Sequence, residues 1–382
     1  MRTARFGHAL SVVVAVMLAG CAGTGVPSPT NSATEPGASP STSADPTVLA
    51  APAPAGPPLR GDLVGGPSLH LGSAGHWAIG DGLAYIASLG AGVTARDLVS
   101  GEVRWQADFT HDDPWDVQPT LGLSADHKTL AALRTVDAGG APAVNLLLLN
   151  SADGTPLAEH LITDPGGHWQ IDLPGRVLAM DDATLVLADD PESGRQTAVI
   201  DLATGTVAWW VDDQAVAATS DTVVTRGAGW KRSDGTRLWQ AVEPLGPLLA
   251  QSPVALVVQH DGRAGWLDPA TGEVGATTEP LDGSDAPCTA TVDTLVCLTD
   301  QPTGHDLATG AQLWAAPGSA DAVVGWRNWL YLWHGDGRGD VLDARTGQVL
   351  VADAELPPLR YADDRGVLLD ADDGYQWVAY PG

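Results

Sequence analysis

The sequence predicts an all-β fold built from repeated units of four short strands, and three observations support this prediction. A five-residue pattern recurs along the chain, short runs with strand character precede its copies, and a tryptophan often stands four residues after the last glycine of the pattern. The strand-like runs show no sustained helical period, which favours strands over helices in each unit.

The repeated pattern reads Asp or Asn, two spacers, then Ser, Thr or Asp, and finally Gly. Full copies begin at Asp97, Asn150, Asp201, Asp268, Asp306 and Asp343 and end at Gly101, Gly154, Gly205, Gly272, Gly310 and Gly347, and a degenerate copy runs from Lys231 to Gly235. Successive glycines lie 30 to 53 residues apart. Units of this length are typical of propellers or of helical arrays.

The residues ahead of the turns decide between these two architectures. Residues 84–87, 184–187, 256–258 and 294–297 are short apolar runs, rich in β-branched and aliphatic residues and bounded by Gly, Asp or Pro. We therefore expect each repeated turn to join two antiparallel strands. Its acidic residue would accept hydrogen bonds from turn amides, and its glycine would adopt the positive φ of a tight reversal.

Tryptophan usage supports a propeller. Trp105, Trp209, Trp239 and Trp314 stand four residues after a motif glycine, and the chain holds 14 Trp but only 2 Phe. Residues 95–105 resemble the tryptophan-docking motif of PQQ-like (quinoprotein-type) β-propellers. The resemblance covers about residues 62–382 and implies that each indole packs against the neighbouring blade.

The ends of the repeat region predict how the ring closes. After Gly347, residues 360–380 offer two more strands but no outer strand. An N-terminal strand somewhere in residues 61–71 would complete this last blade and remove an exposed edge. Eight blades are favoured, with seven as the alternative.

The N-terminus predicts export and lipidation. Arg2 and Arg5 precede an apolar run, and residues 18–21 (LAGC) resemble a bacterial lipobox, so we expect residues 1–20 to be a lipoprotein signal peptide and Cys21 to carry lipid. Residues 21–60 form an Ala/Pro/Ser/Thr-rich tether that has too few large apolar side chains to fold. The propeller then occupies residues 61–382.

The net charge excludes several classes of partner. At −28, the chain repels phosphate backbones and anionic lipid headgroups. We therefore expect no nucleic-acid binding, and attachment to the membrane through the lipid alone. We also expect a monomer.

Cys288 and Cys297 flank a predicted hairpin centred on residues 292–293, which places them opposite each other across two strands. In an exported protein this arrangement predicts a disulfide. The alternative is a redox-active or metal-binding pair, but the spacing matches neither a C-x-x-C motif nor a zinc site.

Catalytic motifs are missing from the sequence. The resemblance to quinoproteins would imply a vicinal disulfide beneath the cofactor, and the chain has no adjacent cysteines. Acidic pairs such as Asp112-Asp113 and Asp181-Asp182 could bind calcium, but solvated turns explain them better because they lack the spacing of a loop site. We expect no catalytic residues, no metal and no cofactor.

One aromatic stretch departs from the blade pattern. In residues 326–333, Trp329, Tyr331 and Trp333 share one face of a strand, which indicates core packing, with a partner-binding patch as the alternative. We expect Trp326, at the strand edge, to be the exposed member of this stretch. Trp115, among acidic residues of a predicted loop, is the second aromatic residue offered to a partner.

Together these features predict a non-catalytic scaffold that binds an envelope protein. The combination of lipobox, tether and blades resembles the lipoprotein scaffold family of the outer-membrane barrel-assembly machinery. Two alternatives stay open, a ligand-binding sensor and a quinoprotein-type enzyme.

Overall fold

The structure is a computed structural model that describes residues 68–72, 76–88, 92–108, 119–138, 142–164, 175–188, 196–252, 255–281, 288–299, 301–334, 337–356, 359–362, 366–371 and 374–379. The predicted signal peptide and tether, with Cys21, lie outside the described residues, and so does Trp115. The described part of the chain forms strands and contains no helix that could cross a membrane.

The first half of the chain forms one strand of the last blade and four complete blades. The strand of the last blade is β1 (Ser68–Gly72). Blade 1 contains β2 (Trp77–Gly80), β3 (Leu83–Ser88), β4 (Gly92–Asp97) and β5 (Val103–Ala107). Blade 2 contains β6 (Thr120–Leu123), β7 (Thr129–Asp137), β8 (Pro142–Asn150) and β9 (Pro156–Leu161). Blade 3 contains β10 (Arg176–Met180), β11 (Thr184–Ala188), β12 (Thr197–Asp201) and β13 (Thr206–Val211), and blade 4 contains β14 (Ala215–Ala218), β15 (Thr222–Thr225), β16 (Ala228–Lys231) and β17 (Arg237–Gln240).

The second half continues the same plan. Blade 5 contains β18 (Leu248–Ser252), β19 (Ala255–His260), β20 (Arg263–Leu267) and β21 (Val274–Pro280). Blade 6 contains β22 (Cys288–Ala290), β23 (Thr294–Cys297), β24 (Thr303–Asp306) and β25 (Gln312–Ala315). Blade 7 contains β26 (Ala322–Trp326), β27 (Trp329–Trp333), β28 (Arg338–Asp343) and β29 (Val349–Glu355), and blade 8 takes β30 (Leu359–Ala362), β31 (Gly366–Ala371) and β32 (Gly374–Ala379).

The protein is therefore an eight-bladed β-propeller, which confirms the predicted fold class. Every blade is a four-stranded antiparallel sheet, and the first strands of blades 1 to 4, and likewise those of blades 5 to 8, contact their neighbours around the centre. In each meander, the turn between strands one and two and the turn between strands three and four lie at the same end of the ring. We call this end the turn face.

The closing strand is where the sequence predicted it. β1 pairs with β32 and becomes the outermost strand of blade 8, in the order β1-β32-β31-β30. The prediction of two strands after residue 360 was one strand short, because β30 (Leu359–Ala362) also belongs to this blade. Closure by the N-terminal strand ties the two ends of the described chain together.

The hydrophobic core lies between the blades. Among the described residues, buried side chains form eight clusters, and each combines residues from two neighbouring blades. In blade 7, for example, Tyr331 packs toward blade 8 and Leu330 toward blade 6. Both faces of a blade are covered, so most of its strands are apolar on both faces.

Candidate functional site: the rim and a groove beside blade 5

The turn motif has the same local structure in each of its described copies. The amide of the motif glycine donates to the backbone carbonyl of the first motif residue, as Gly205 does to Asp201 at 2.9 Å, and the glycine has positive φ, 68° at Gly205. Where the first residue is Asp, its carboxylate also accepts turn amides, as Asp97 does from Val99 and Ser100. Positive φ is also present at Gly101, Gly154, Gly235, Gly272, Gly310 and Gly347. These residues shape the turns and belong to the scaffold.

The turn acids differ in their charged partners. Burial works to raise the pKa of Asp97, but hydrogen bonds from the Ser100 amide and the Arg104 guanidinium outweigh it and hold the pKa below its usual value. Arg345 of blade 7 donates to Asp306 of blade 6 at 2.8 Å and lowers the pKa of that carboxyl. The carboxylates of these two motif acids are therefore already paired with arginines of the protein.

The indoles join one blade to the next. Each docking indole donates its Nε1–H to the backbone carbonyl that lies three residues before the motif glycine of the following blade. The pairs are Trp105 with Ser151 (2.9 Å), Trp209 with Arg232 (2.8 Å), Trp239 with Pro269 (2.8 Å), Trp266 with Leu307 (2.7 Å), Trp314 with Ala344 (2.8 Å) and Trp377 with Leu98 (3.1 Å). In the pairs formed by Trp105, Trp209, Trp239, Trp266 and Trp314, the ring also lies against that glycine.

Two of these indoles were not predicted. Trp266 and Trp377 lie on the third strands of blades 5 and 8, whereas the four predicted indoles lie on fourth strands. At the junction of blades 2 and 3, His160 packs against Gly205 where other junctions place an indole. A signal for Trp266 was available, since blade 5 has Ala276 at the usual tryptophan position.

The expectation that Trp326 is exposed is wrong. Its side chain is only 5% exposed, stacks edge-on against Trp329 with centroids 4.8 Å apart, and packs in the core between blades 7 and 8. The physical reason is that β26 is the innermost strand of its blade, so neighbouring blades cover both of its faces. Trp326 is therefore a core residue.

The cysteine prediction is confirmed. Cys288 and Cys297 are direct cross-strand partners in β22 and β23 and form a disulfide. Cys297 is fully buried. The bond links the two innermost strands of blade 6.

A β-bulge on the fourth strand determines which side chains reach the outer rim. The residue two after the motif glycine and the residue four after it pair with consecutive residues of the third strand, as Arg237 and Trp239 do with Trp230 and Gly229. The residue between them, Leu238, has no cross-strand partner. In blades 2, 4, 6 and 7 this bulged residue is a leucine, and we call Leu157, Leu238, Leu313 and Leu350 the rim leucines.

The rim leucines are exposed to a similar extent in all four blades. Their exposed fractions are 55% for Leu157, 43% for Leu238, 37% for Leu313 and 44% for Leu350. The bulge is common to these blades, so the exposure follows from backbone geometry and recurs around the ring. These residues were not predicted, although a leucine three residues after the glycine recurs in all four copies.

A groove of about 490 Å³ lies on the turn face beside blade 5. Thr219 of blade 4 and Ala308 of blade 6 line its two sides, and Leu256, Trp266, Asp268 and Glu273 of blade 5 line the rest. Its volume lies within the range typical of small-ligand sites. Within the described residues, no cluster of His, Cys, Asp and Glu is arranged to hold a metal ion.

Comparison with solved structures gives the fold. The chain is similar to BamB from Moraxella catarrhalis (TM-score 0.53, 16% identity, 82% of this chain and 95% of that one) and to the computationally designed Ika8 protein (0.53, 17%, 82% and 97%). It is also similar to the C-terminal WD40 domain of Sif2 (0.52, 12%, 80% and 94%). No family model and no curated protein sequence matches the chain. At these identities the likeness supports the propeller fold alone.

Proposed function

We propose that this protein is a non-catalytic interaction platform, held by lipid on Cys21 at the extracytoplasmic face of the cell membrane, and that its rim binds an envelope protein. The observation that carries the proposal is the set of rim leucines. Scattered exposed leucines need no explanation. Four at one structurally equivalent position on a rigid ring form a repeated surface that a partner can read.

The energetics favour a partner that touches more than one blade. Fully burying a leucine side chain contributes roughly 1.5–3 kcal/mol, and association itself costs several kcal/mol, so one leucine cannot hold a partner. Leu313 and Leu350 lie on the neighbouring blades 6 and 7, where one partner surface can cover both. Blades 2 and 4 present Leu157 and Leu238 on another part of the rim.

The anchor complements this surface. Because the chain carries a charge of −28, it gains nothing from anionic lipid headgroups, and a lipid on Cys21 would supply the attachment. Residues 22–60 would then act as the tether between lipid and ring. Membrane attachment raises the local concentration of the ring near other envelope proteins.

The experiment is in-cell crosslinking and capture of the tagged full-length chain. A Leu313→Ser/Leu350→Ser variant removes the two rim leucines of the neighbouring blades 6 and 7, and a Gln312→Ser/Gln348→Ser variant alters exposed residues beside them. We expect an envelope protein to be captured by the wild type and by the control pair, and to be lost from the leucine variant. Cys21→Ala should also reduce capture.

The result that would overturn the platform is equal recovery of every crosslinked protein with the wild type and with the leucine variant. Matching melting temperatures of the two serine variants would show that any difference arises at the surface, since substitutions at exposed positions usually change stability little.

A further inference from the structure

The groove beside blade 5 exists because this blade departs from the pattern of its neighbours. Gly275 and Ala276 occupy the two positions that hold Leu238 and Trp239 in blade 4. The docking indole of blade 5 is Trp266 on the third strand. With small residues on the fourth strand, space opens at the turn face, and Gly275 lines it.

The floor of the groove is apolar. Leu256 and Leu267 are buried residues of blade 5, and Trp266 and Pro269 continue the apolar surface. Polar lining residues lie on the side of the groove next to blade 4. Thr219 belongs to that blade, and the side-chain amide of Gln251 donates to its Ala218 carbonyl at 2.9 Å. A ligand with an alkyl part would bury that part against this floor.

The charged residues of the groove are acidic. Asp268 and Glu273 line it, and no Lys, Arg or His is among its described lining residues. Asp97 and Asp306, the equivalent motif acids of blades 1 and 6, are paired with Arg104 and Arg345 at 2.8 Å. By contrast, neither Asp268 nor Glu273 has an ion-pair partner among the described residues.

Asp268 also makes fewer hydrogen bonds within its turn. In blades 3, 6 and 7 the motif threonine donates both its amide and its hydroxyl to the motif acid, as Thr204 does to Asp201. Asp268 accepts from the amide of Ala270 at 2.8 Å. It therefore has more acceptor capacity left for a ligand than the equivalent acids of those blades.

We propose that this groove binds an alkyl cation, the ammonium or guanidinium side chain of a lysine or arginine displayed by the partner protein. Such a side chain carries an apolar stem and a charged head, which match the apolar floor and the two carboxylates. The proposal rests on the platform function and names the chemistry that the partner must present.

The first test uses n-butylguanidinium as the probe, with its neutral isostere N-butylurea as the control ligand. Ligand-observed NMR titration at low salt should give saturable binding of the cation and none of the urea. Asp268→Asn/Glu273→Gln should raise Kd about five-fold or more, as expected when carboxylates that engage a cation lose their charge. The matched variant Asp201→Asn/Glu102→Gln changes the equivalent motif acid of blade 3 and the equivalent glutamate of blade 1, and should leave Kd unchanged.

Equal weakening by both variant pairs would show diffuse attraction by an acidic surface and overturn the site. Absence of saturable binding to the wild type would overturn it as well, as would equal binding of the neutral urea.

The second test asks whether the cation belongs to a partner. A photocrosslinking amino acid is placed in the full-length lipidated chain at Ala270, in the blade 5 turn, and at Ala203, the equivalent exposed position in blade 3. We expect an adduct at Ala270 that disappears in the Asp268→Asn/Glu273→Gln background, and none at Ala203.

The two proposals fail in different ways. If capture through the rim leucines persists while Ala270 gives no adduct, the groove proposal is wrong and the platform stands. If n-butylguanidinium binds but neither the rim nor Ala270 captures a protein, the groove is a site for a free cation and the platform is wrong.

Discussion

The junction of blades 6 and 7 and the junction of blades 5 and 6 contain the same hydrogen bond, from an indole to a backbone carbonyl of the next blade, but the indole comes from a different strand. Trp314, on the fourth strand of blade 6, lies against Gly347 and donates to the carbonyl of Ala344. Trp266, on the third strand of blade 5, lies against Gly310 and donates to the carbonyl of Leu307. At these two junctions the indole reaches the same position above the turn, whether the third or the fourth strand supplies it.

The choice of strand changes the outer surface. In blades 4 and 6, whose fourth strands carry the indole, the bulged residue before it is a rim leucine, whereas in blades 1 and 3 it is Arg104 and Ala208. Where the third strand carries it, as in blade 5, the fourth strand holds Gly275 and Ala276, and the groove opens. The difference between the two junctions is therefore also a difference between two kinds of binding surface.

The largest expected effect is at the junction that closes the ring. Trp377 is fully buried between blades 8 and 1, so Trp377→Ala should lower the free energy of unfolding by about 3–5 kcal/mol. Trp314 is only partly buried, and Trp314→Ala should cost less and cause no separate functional defect. Urea unfolding of both variants makes the comparison, and an equal loss would contradict it.

A second variant tests the hydrogen bond separately from the packing. Trp377→Phe keeps most of the ring but cannot donate to the carbonyl of Leu98, so it should cost about 1 kcal/mol from the bond in addition to a small packing loss. This variant also stays informative if Trp377→Ala does not fold.

Glycine substitutions test the contact between indole and turn. A Cβ at Gly272 would lie 2.4 Å from a ring carbon of Trp239, whereas a Cβ at Gly101 would meet nothing within 4 Å, and both glycines have positive φ. Gly101→Ala should cost about 1 kcal/mol for the left-handed backbone, and Gly272→Ala about 3 kcal/mol because the ring must also move. Thermal unfolding would measure both, and similar losses would mean that the ring does not press on the turn.

The disulfide joins two strands of the same blade, whereas the docking indoles join neighbouring blades. Cys288 and Cys297 are nine residues apart, so replacing both with Ala should lower stability by roughly 2–3 kcal/mol in the chain-entropy account. Reductant should lower the unfolding midpoint of the wild type and leave the double variant unchanged. A wild type that is insensitive to reductant at its unfolding midpoint would refute the expectation.

The smallest effect concerns pH at the junction of blades 5 and 6. The ring centroids of His305 and Trp266 lie 5.7 Å apart. Burial lowers the pKa of His305, and its hydrogen bond with the carbonyl of Gly310 opposes this shift only in part. In the unfolded chain the His305 imidazole has its ordinary pKa of about 6.5, so as the pH falls it is protonated before the same group in the folded protein. Stability therefore falls as the pH drops below about 6.5 toward the lower pKa of the folded state. Urea midpoints at pH 7 and pH 5 should differ less in His305→Gln than in the wild type; an identical difference would remove His305 from the effect.

Much of the fold could be predicted from the sequence because it depends on interactions between residues close together in the chain. The turn acids and glycines, the strands before them and the opposed cysteines depend on residues within a few positions of one another, and the disulfide and eight blades are confirmed. Trp266 and Trp377 were not predicted as docking residues because they reach the equivalent carbonyl from the third strand instead of the fourth. Trp326 was misjudged because its exposure depends on blade 8, which lies across the core from it.

By itself, the sequence determined the repeat and the turn chemistry, since short-range hydrogen bonding and strand patterning suffice for these. It also indicated how the ring closes, because the last unit lacks an outer strand that only an N-terminal segment could supply. The tertiary structure alone decided which indole docks at each junction, which leucines reach the rim and where a groove opens. These properties depend on bulge register and on contacts among three blades; Thr219 and Ala308, on opposite sides of the groove, are brought together only by the curvature of the ring.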